Sequence, residues 1–286
     1  MRRFDRICKP GIVYGSAAGE SLELDLYLPV PAKNESGPAP PRPIIAYFHG
    51  GGWVSGSRGG PSAVSFALEM AAEGLAVACV GYRLGSAHPA PAAILDCRLA
   101  VGWLRAHAAE NGLDPERIVV MGNSAGGHLA AMVGLIRSAD RLGSIHLDGG
   151  SERVQAVVSL CGISDVEVLV GGDCSKPWAE AWIPAHLADR AGLARQCSPL
   201  RHVRSDAPPF LLIHGDADSH VPYDQAVRLH DGLKAMGAPS ELATLRGADH
   251  FLGIMGPPWV QRAVRRARRR FFRRLGLYDA AHDEAA

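Results

Sequence analysis

An α/β fold built on a mostly parallel central sheet, with helices on both faces, is predicted by three observations. Short runs rich in Val, Ile and Leu recur along the chain, they are continuous rather than alternating, and stretches of helical periodicity separate them. A continuous apolar strand is buried on both faces, and helices lying between such strands are what cover them.

Element by element, two alternating or apolar segments come first, "GIVYG" and "LELDLYLP". A Pro-rich stretch, "VPAKNESGPAPPRP", follows; it is too polar and too punctuated for a core and reads as a surface connection. The runs "IIAYFHG", "AVACVGYRL", "RIVVMGN", "VQAVVSLCG" and "PFLLIHGD" are the candidate buried strands, and "SAVSFALEMAAEG" and "PAAILDCRLAVGWLRAHAAENG" are helices between them. A last unit adds a helix, "DQAVRLHDGLKAMG", a strand, "SELATLRG", and a closing helix from about Pro258 to Leu275. Residues 164–206 break the alternation with three prolines, two tryptophans and helix-like pieces, and an insertion of that length at a strand end borders a site.

The chain has 286 residues, 47% hydrophobic and 21% charged, with a net charge of +1. Those values fit one soluble domain over residues 1–286 and show no global attraction to nucleic acid or an anionic membrane. The closing helix carries eight arginines, but Val260, Val264, Ala267, Phe271 and Leu275 recur on one face, so the arginines read as a solvated face rather than a nucleic-acid stripe. No N-terminal run has the length of a signal peptide and no segment reaches the ~18 apolar residues of a membrane span, so the expectation is a cytoplasmic protein, secreted or periplasmic if a leader has been removed. A homodimer is compatible with this composition. The six cysteines lack CxxC spacing; Cys79 and Cys161 sit in strand-like runs, and a bridge between Cys174 and Cys197 is left open.

The chemistry begins at "VVMGNSAGGHLA", where an apolar run from Arg117 to Met121 stops and a helix resumes at Gly126. Ser124 stands between Gly122 and Gly126, as the apex of a strand-to-helix elbow requires: small neighbours let other backbone approach while the hydroxyl is held clear as a nucleophile. A serine hydroxyl is protonated at neutral pH and needs a base and an anion site. "HGGGW", His49 to Trp53, follows the strand "IIAYF", and the N–H groups of Gly51 and Gly52, with that of Ala125, are candidates to hold an oxyanion. No Lys-Ser/Thr follows these glycines, which excludes a P-loop. "HGDADSHVP" offers Asp216 and Asp218, and "GADHF" offers His250, giving the chain order Ser, Asp, His. The remaining histidines, His128, His214 and His220 among them, read as packing or surface groups, and His49 as a residue that shapes the glycine loop. No metal-ligand spacing and no cofactor motif is present.

Together "HGGGW", "GYRL…HPAPAAILDCRLAVGWL", "DPERIVVMGNSAGGHLA", "HGDADSHVP" and "GADHF" resemble the α/β-hydrolase esterases of the hormone-sensitive-lipase-like and bacterial feruloyl-esterase-like (BD-FAE) group, from about Ile12 to Phe272. The resemblance implies an α/β-hydrolase fold, Ser124 as nucleophile, His250 as base and Asp218, in the D-x-x-V-P position, as the acid in preference to Asp216. The long helical cap of the lipase-like members has no counterpart before His49, which places the chain with the uncapped branch. The insertion and Trp53, Trp178 and Trp182 are then expected to bound a shallow substrate pocket. The expected activity is serine carboxylesterase action on short- to medium-chain esters of small molecules. Acetylxylan or feruloyl ester hydrolysis, formamidase-type amide cleavage, and a catalytically silent binding protein on the same fold are the alternatives.

Overall fold

The computed structural model describes residues 5–30, 40–137, 142, 153–171, 174–253 and 255–278. The expected Pro-rich connection falls largely on residues 31–39, outside the described residues.

The first two strands, β1 (Asp5–Ala17) and β2 (Glu20–Val30), form an antiparallel hairpin. Ala18 and Gly19 join them with φ of 51° and 80°, the two positive values of a turn whose twist matches that of the flanking strands. Six further strands follow: β3 (Arg42–Phe48), β4 (Ala76–Val80), β5 (Leu113–Asn123), β6 (Ala156–Leu160), β7 (Phe210–Gly215) and β8 (Ser240–Leu245). They align in the order β1-β2-β4-β3-β5-β6-β7-β8, antiparallel across β1-β2-β4 and parallel from β4 to β8. This is the α/β-hydrolase sheet the sequence implied. Among the described residues before β3, the chain forms the hairpin strands β1 and β2.

The helices are α1 (Pro61–Ala72), α2 (Ala92–Ala106), α3 (Ala125–Leu135), α4 (Pro177–Trp182), α5 (Arg190–Gln196), α6 (Asp224–Ala235) and α7 (Pro258–Arg274). Because side chains alternate along a strand, each central strand feeds two cores. Ile44, Ala46 and Phe48 of β3, with Ile118 and Val120 of β5, meet α2, α3, α6 and the segment 164–206. Their neighbours Ile45, Tyr47, Val119 and Met121 meet α1 and α7 on the opposite face. Burying one such side chain fully contributes about 1.5–3 kcal/mol, so both layers hold the sheet between them.

The closing helix departs from the expected solvated arginine face. Val260, Val264 and Phe271 are buried as the periodicity predicts, but so is Arg268, at 2% exposure. Its guanidinium bonds Glu69 and Glu73 of the α1 region at 2.8 and 3.0 Å, Arg265 and Arg269 bond the same two carboxylates, and Arg274 pairs with Glu241 on β8. Arg270 also approaches Glu241, at 3.8 Å, so at least five of the eight arginines tie α7 to its neighbours. All six cysteines are free, and Cys197 is buried while Cys174 is exposed, so the bridge left open does not form. No helix among the described residues is long and apolar enough to cross a membrane.

Candidate functional site

At the C-terminal end of β5 the chain reverses sharply into α3, with Ser124 at φ 55°, ψ −122°, a left-handed conformation that costs a non-glycine residue strain energy. The glycines two residues either side make the turn possible. A Cβ on Gly122 would lie 2.4 Å from the Gly126 backbone, and one on Gly126 would lie 2.0 Å from the Phe48 carbonyl oxygen. The Ser124 N–H donates to the Leu160 carbonyl at 2.8 Å, and its carbonyl accepts from His128 N–H at 3.0 Å, which ties the elbow to β6 and to the first turn of α3.

The loops after β7 and β8 bring two more groups to this point. His250 Nε2 lies 3.0 Å from Ser124 Oγ and its Nδ1 2.7 Å from Asp218 Oδ2. With Asp218 accepting at Nδ1, that nitrogen carries the proton and Nε2 presents its lone pair to the hydroxyl. Asp218 is enclosed: Oδ1 accepts the N–H groups of His220 and Val221 at 2.9 and 2.8 Å, and Oδ2 also faces His214 Nε2 at 3.1 Å. Burial alone would raise this carboxyl, but the bonds from His214, His250 and Val221 outweigh it and hold it well below the usual carboxylate range. Burial likewise opposes a charged His250, yet Asp218 outweighs it and raises the imidazole above the ordinary histidine value. Asp216, the rival acid, accepts the Gly247 N–H at 2.6 Å and so ties the two loops together instead of touching His250.

Sequence reasoning passed over three of these supports. His214 was read as packing, but its Nε2–H is shared between Asp218 and the Val221 carbonyl, 3.0 Å away. His220 stacks on His250 at 4.9 Å between ring centroids, and the Cys161 thiol donates to the His250 carbonyl at 3.3 Å. Only the position of His214, four residues before Asp218, could have pointed to it; the other two contacts have no local signal.

The glycine loop after β3 adopts φ of 125° at Gly51, 59° at Gly52 and 63° at Trp53. The Gly51 carbonyl closes the turn by accepting from Val54 and Ser55, at 3.1 and 3.0 Å, and among the described residues no backbone carbonyl accepts from the Gly51 or Gly52 N–H. The N–H of Ala125, first in α3, has no intrahelical acceptor. His49 shapes the loop as expected: Nδ1–H donates to the Gly50 carbonyl at 2.8 Å, the ring stacks on Tyr82, and burial lowers its pKa to about 4, so it stays neutral.

The expected pocket wall is corrected in two of its three residues. Trp53 and Trp182 are fully buried and stacked on each other at 4.1 Å, inside the core on the α2–α3 side. The indole N–H of Trp53 donates to His128 Nδ1 at 3.0 Å, and His128 Nε2–H donates to the Cys197 carbonyl at 2.7 Å. Burial keeps His128 neutral, with a pKa lowered to about 4. These aromatics staple the segment 164–206 to the body: His128 supplies the Trp53 indole N–H with an acceptor inside the core, while the Trp182 side chain is held by ring packing alone, its indole N–H buried without a partner among the described residues. Trp178 alone reaches the open space, lying against Gly52, where a Cβ would stand 2.7 Å from its own.

That open space is a cleft of about 540 Å³, in the range of small-molecule sites, and it runs away from the insertion. From Ser124 it passes between α1 and α7, over Tyr47, Met121, Ala63, Phe66, Leu252 and Val264, to Glu69, Arg265 and Arg268. Two sets of donor atoms, Cys161–Asp218–His250 and Asp218–His220–Asp249, come within 4.8 Å of one another among the described residues. Their acceptors are already engaged by the hydrogen bonds above and by Ser219 on Asp249.

The BD-FAE family model matches residues 24–233. Over 256 residues, 85% of the chain, the sequence is 34% identical to esterase LipC of Mycobacterium tuberculosis. The chain spans about half to 60% of the length of the curated relatives it matches first. The solved esterase Est2 of Thermogutta terrifontis superposes with a TM-score of 0.75 at 28% identity, covering 96% of this chain and 94% of that one. A structure of the same esterase phosphorylated by paraoxon matches at TM-score 0.74 and 26% identity, covering 96% and 95%.

Proposed function

Because the chain belongs to the BD-FAE family, we propose that it is a serine carboxylesterase acting on short- to medium-chain esters through an acyl-enzyme. The observation that carries this is the continuous hydrogen-bonded chain Ser124 Oγ–His250 Nε2, His250 Nδ1–Asp218 Oδ2 at the end of the cleft. Ser124 Oγ attacks the ester carbonyl as its proton passes to His250 Nε2. The negative charge that grows on the carbonyl oxygen is held by the N–H groups of Gly51, Gly52 and Ala125, and collapse of the tetrahedral intermediate expels the alcohol, which takes the proton back from His250. Water, deprotonated by the same imidazole, then releases the acid and restores Ser124. Asp218 fixes the imidazole tautomer and offsets its charge in transit.

The relatives' names support ester hydrolysis, and the paraoxon-phosphorylated relative supports an activated nucleophile in this fold. The intact Ser124, Asp218 and His250 argue against a silent binding protein. Ser124→Ala is expected to lower kcat on p-nitrophenyl esters by about four orders of magnitude or more with the fold retained. In the same experiment paraoxon is expected to add one phosphoryl group to the Ser124 peptide, read by mass spectrometry. Wild-type-like turnover in Ser124→Ala, or labelling elsewhere, would overturn the assignment.

A further inference from the structure

The far end of the cleft is chemically unlike its walls. Between Ser124 and Glu69 the lining is mostly apolar and aromatic and carries no charged side chain, and then it meets the clamp between α1 and α7, where Arg265 and Arg268 bond Glu69 and Arg268 and Arg269 bond Glu73. Three guanidiniums against two carboxylates leave this end with one positive charge in excess. Arg268 is 2% exposed, lines the cleft, and lies over the Phe66 ring at 5.9 Å. Its Nη2 serves Glu69 and Glu73, but its Nε is a buried donor without a hydrogen-bond partner among the described residues. A buried N–H left unpaired costs on the order of 1–3 kcal/mol, and of the five unpaired buried side-chain atoms among the described residues Arg268 Nε is the one that belongs to a residue lining the cleft.

We infer that this end of the cleft is a specificity subsite for a carboxylate carried at the far end of one arm of the ester, with Arg268 as its specificity-determining residue. The inference rests on the esterase reading. Glu69 stands six residues beyond Ala63 on α1, and Arg268 seven beyond Gln261 on α7, so the apolar trough is about 9–10 Å long. An arm of roughly six to eight bonds spans that distance. A planar guanidinium with a free donor matches a carboxylate, whereas an alkyl terminus would meet a charged wall and leave Nε unpaired.

The test compares kcat/KM for monomethyl suberate and methyl octanoate, which share the chain length and differ at the tip, and for the acetate of 8-hydroxyoctanoate against octyl acetate. Preference for the carboxylate-bearing ester by about tenfold or more in either pair, the size of one charge-assisted hydrogen bond, supports the inference and names the arm that enters the trough. Preference for the alkyl ester in both pairs overturns it. In Arg268→Lys, which keeps the charge and loses Nε, the ratio is expected to fall about tenfold. The ratio is independent of the fraction of protein that is folded, and an unchanged ratio assigns Arg268 to the clamp alone and overturns its role. Should Arg268→Lys not accumulate, Arg265→Gln, half-exposed at the same end, is expected to lower the ratio in the same direction, and no change there overturns the subsite. Hydrolysis of p-nitrophenyl acetate without discrimination in either pair defeats the subsite and spares the esterase reading, while failure to hydrolyse any ester overturns both.

Discussion

The two layers that flank the sheet treat their large side chains in opposite ways. On the α2–α3 side, Trp53 and Trp182 stack in a dry core, and His128 bridges the Trp53 indole to the Cys197 carbonyl, so an aromatic-rich insertion becomes a sealed wall. On the α1–α7 side, Phe66 and Tyr47 stack on each other at 4.4 Å along an open trough, and Phe251 and Met255 remain exposed near its mouth. The difference lies in what the polar ends of these groups can reach. An indole with an acceptor available inside is drawn inward, while the α1–α7 layer spends its long-range polar bonds on a clamp at its far end and keeps the space before it empty.

The largest effect that bears on this contrast belongs to the groups held between the layers. Asp218→Asn is expected to lower kcat by about four orders of magnitude, because the imidazole loses its tautomer control. Only neutral His250 can accept the Ser124 proton, so kcat/KM rises with pH through the His250 pKa. Asp218 holds that pKa above its ordinary value, which puts the acidic limb above about 6.5 in the wild type, and in Asp218→Asn the limb shifts to lower pH. A limb that stayed in place in the pH–rate profile would show that Asp218 does not set it.

Next in size, Trp182→Ala should cost about 3–5 kcal/mol of stability in urea unfolding while leaving the acyl-chain profile where it was. A changed profile with little loss of stability would return Trp182 to the substrate wall. Val264→Phe probes the other layer: by narrowing the trough it is expected to lower the ratio of kcat/KM for p-nitrophenyl octanoate over p-nitrophenyl acetate about tenfold. An unaffected ratio would mean that ester arms do not run between α1 and α7. Smallest is Asp216→Asn, expected to lower kcat by less than tenfold, since the Asp216 carboxylate braces Gly247 and not His250. A loss as large as that of Asp218→Asn would make the bracing itself indispensable.

Short strings of residues control part of this architecture. Continuous apolar runs specified a sheet buried on both faces, the glycines around Ser124 specified the elbow because no Cβ fits 2.0–2.4 Å from neighbouring backbone, and the loop strings placed Asp218 and His250 at successive strand ends. Tertiary structure decided which surfaces were to be filled and which left open. Trp53 lies 75 residues from His128, and Glu69 lies 199 from Arg268, so neither partnership leaves a mark in local composition. Trp53 and Trp182 looked like a pocket rim and became core, while Trp178 kept its place at the cleft. The arginines of α7 looked like a solvated face and became a clamp with one buried donor still unpaired. In both cases the partners that do form, His128 for the Trp53 indole and Glu69 and Glu73 for the Arg268 guanidinium, stand far away in the chain, and where a partner stands is a property of the packed molecule, not of the neighbouring sequence.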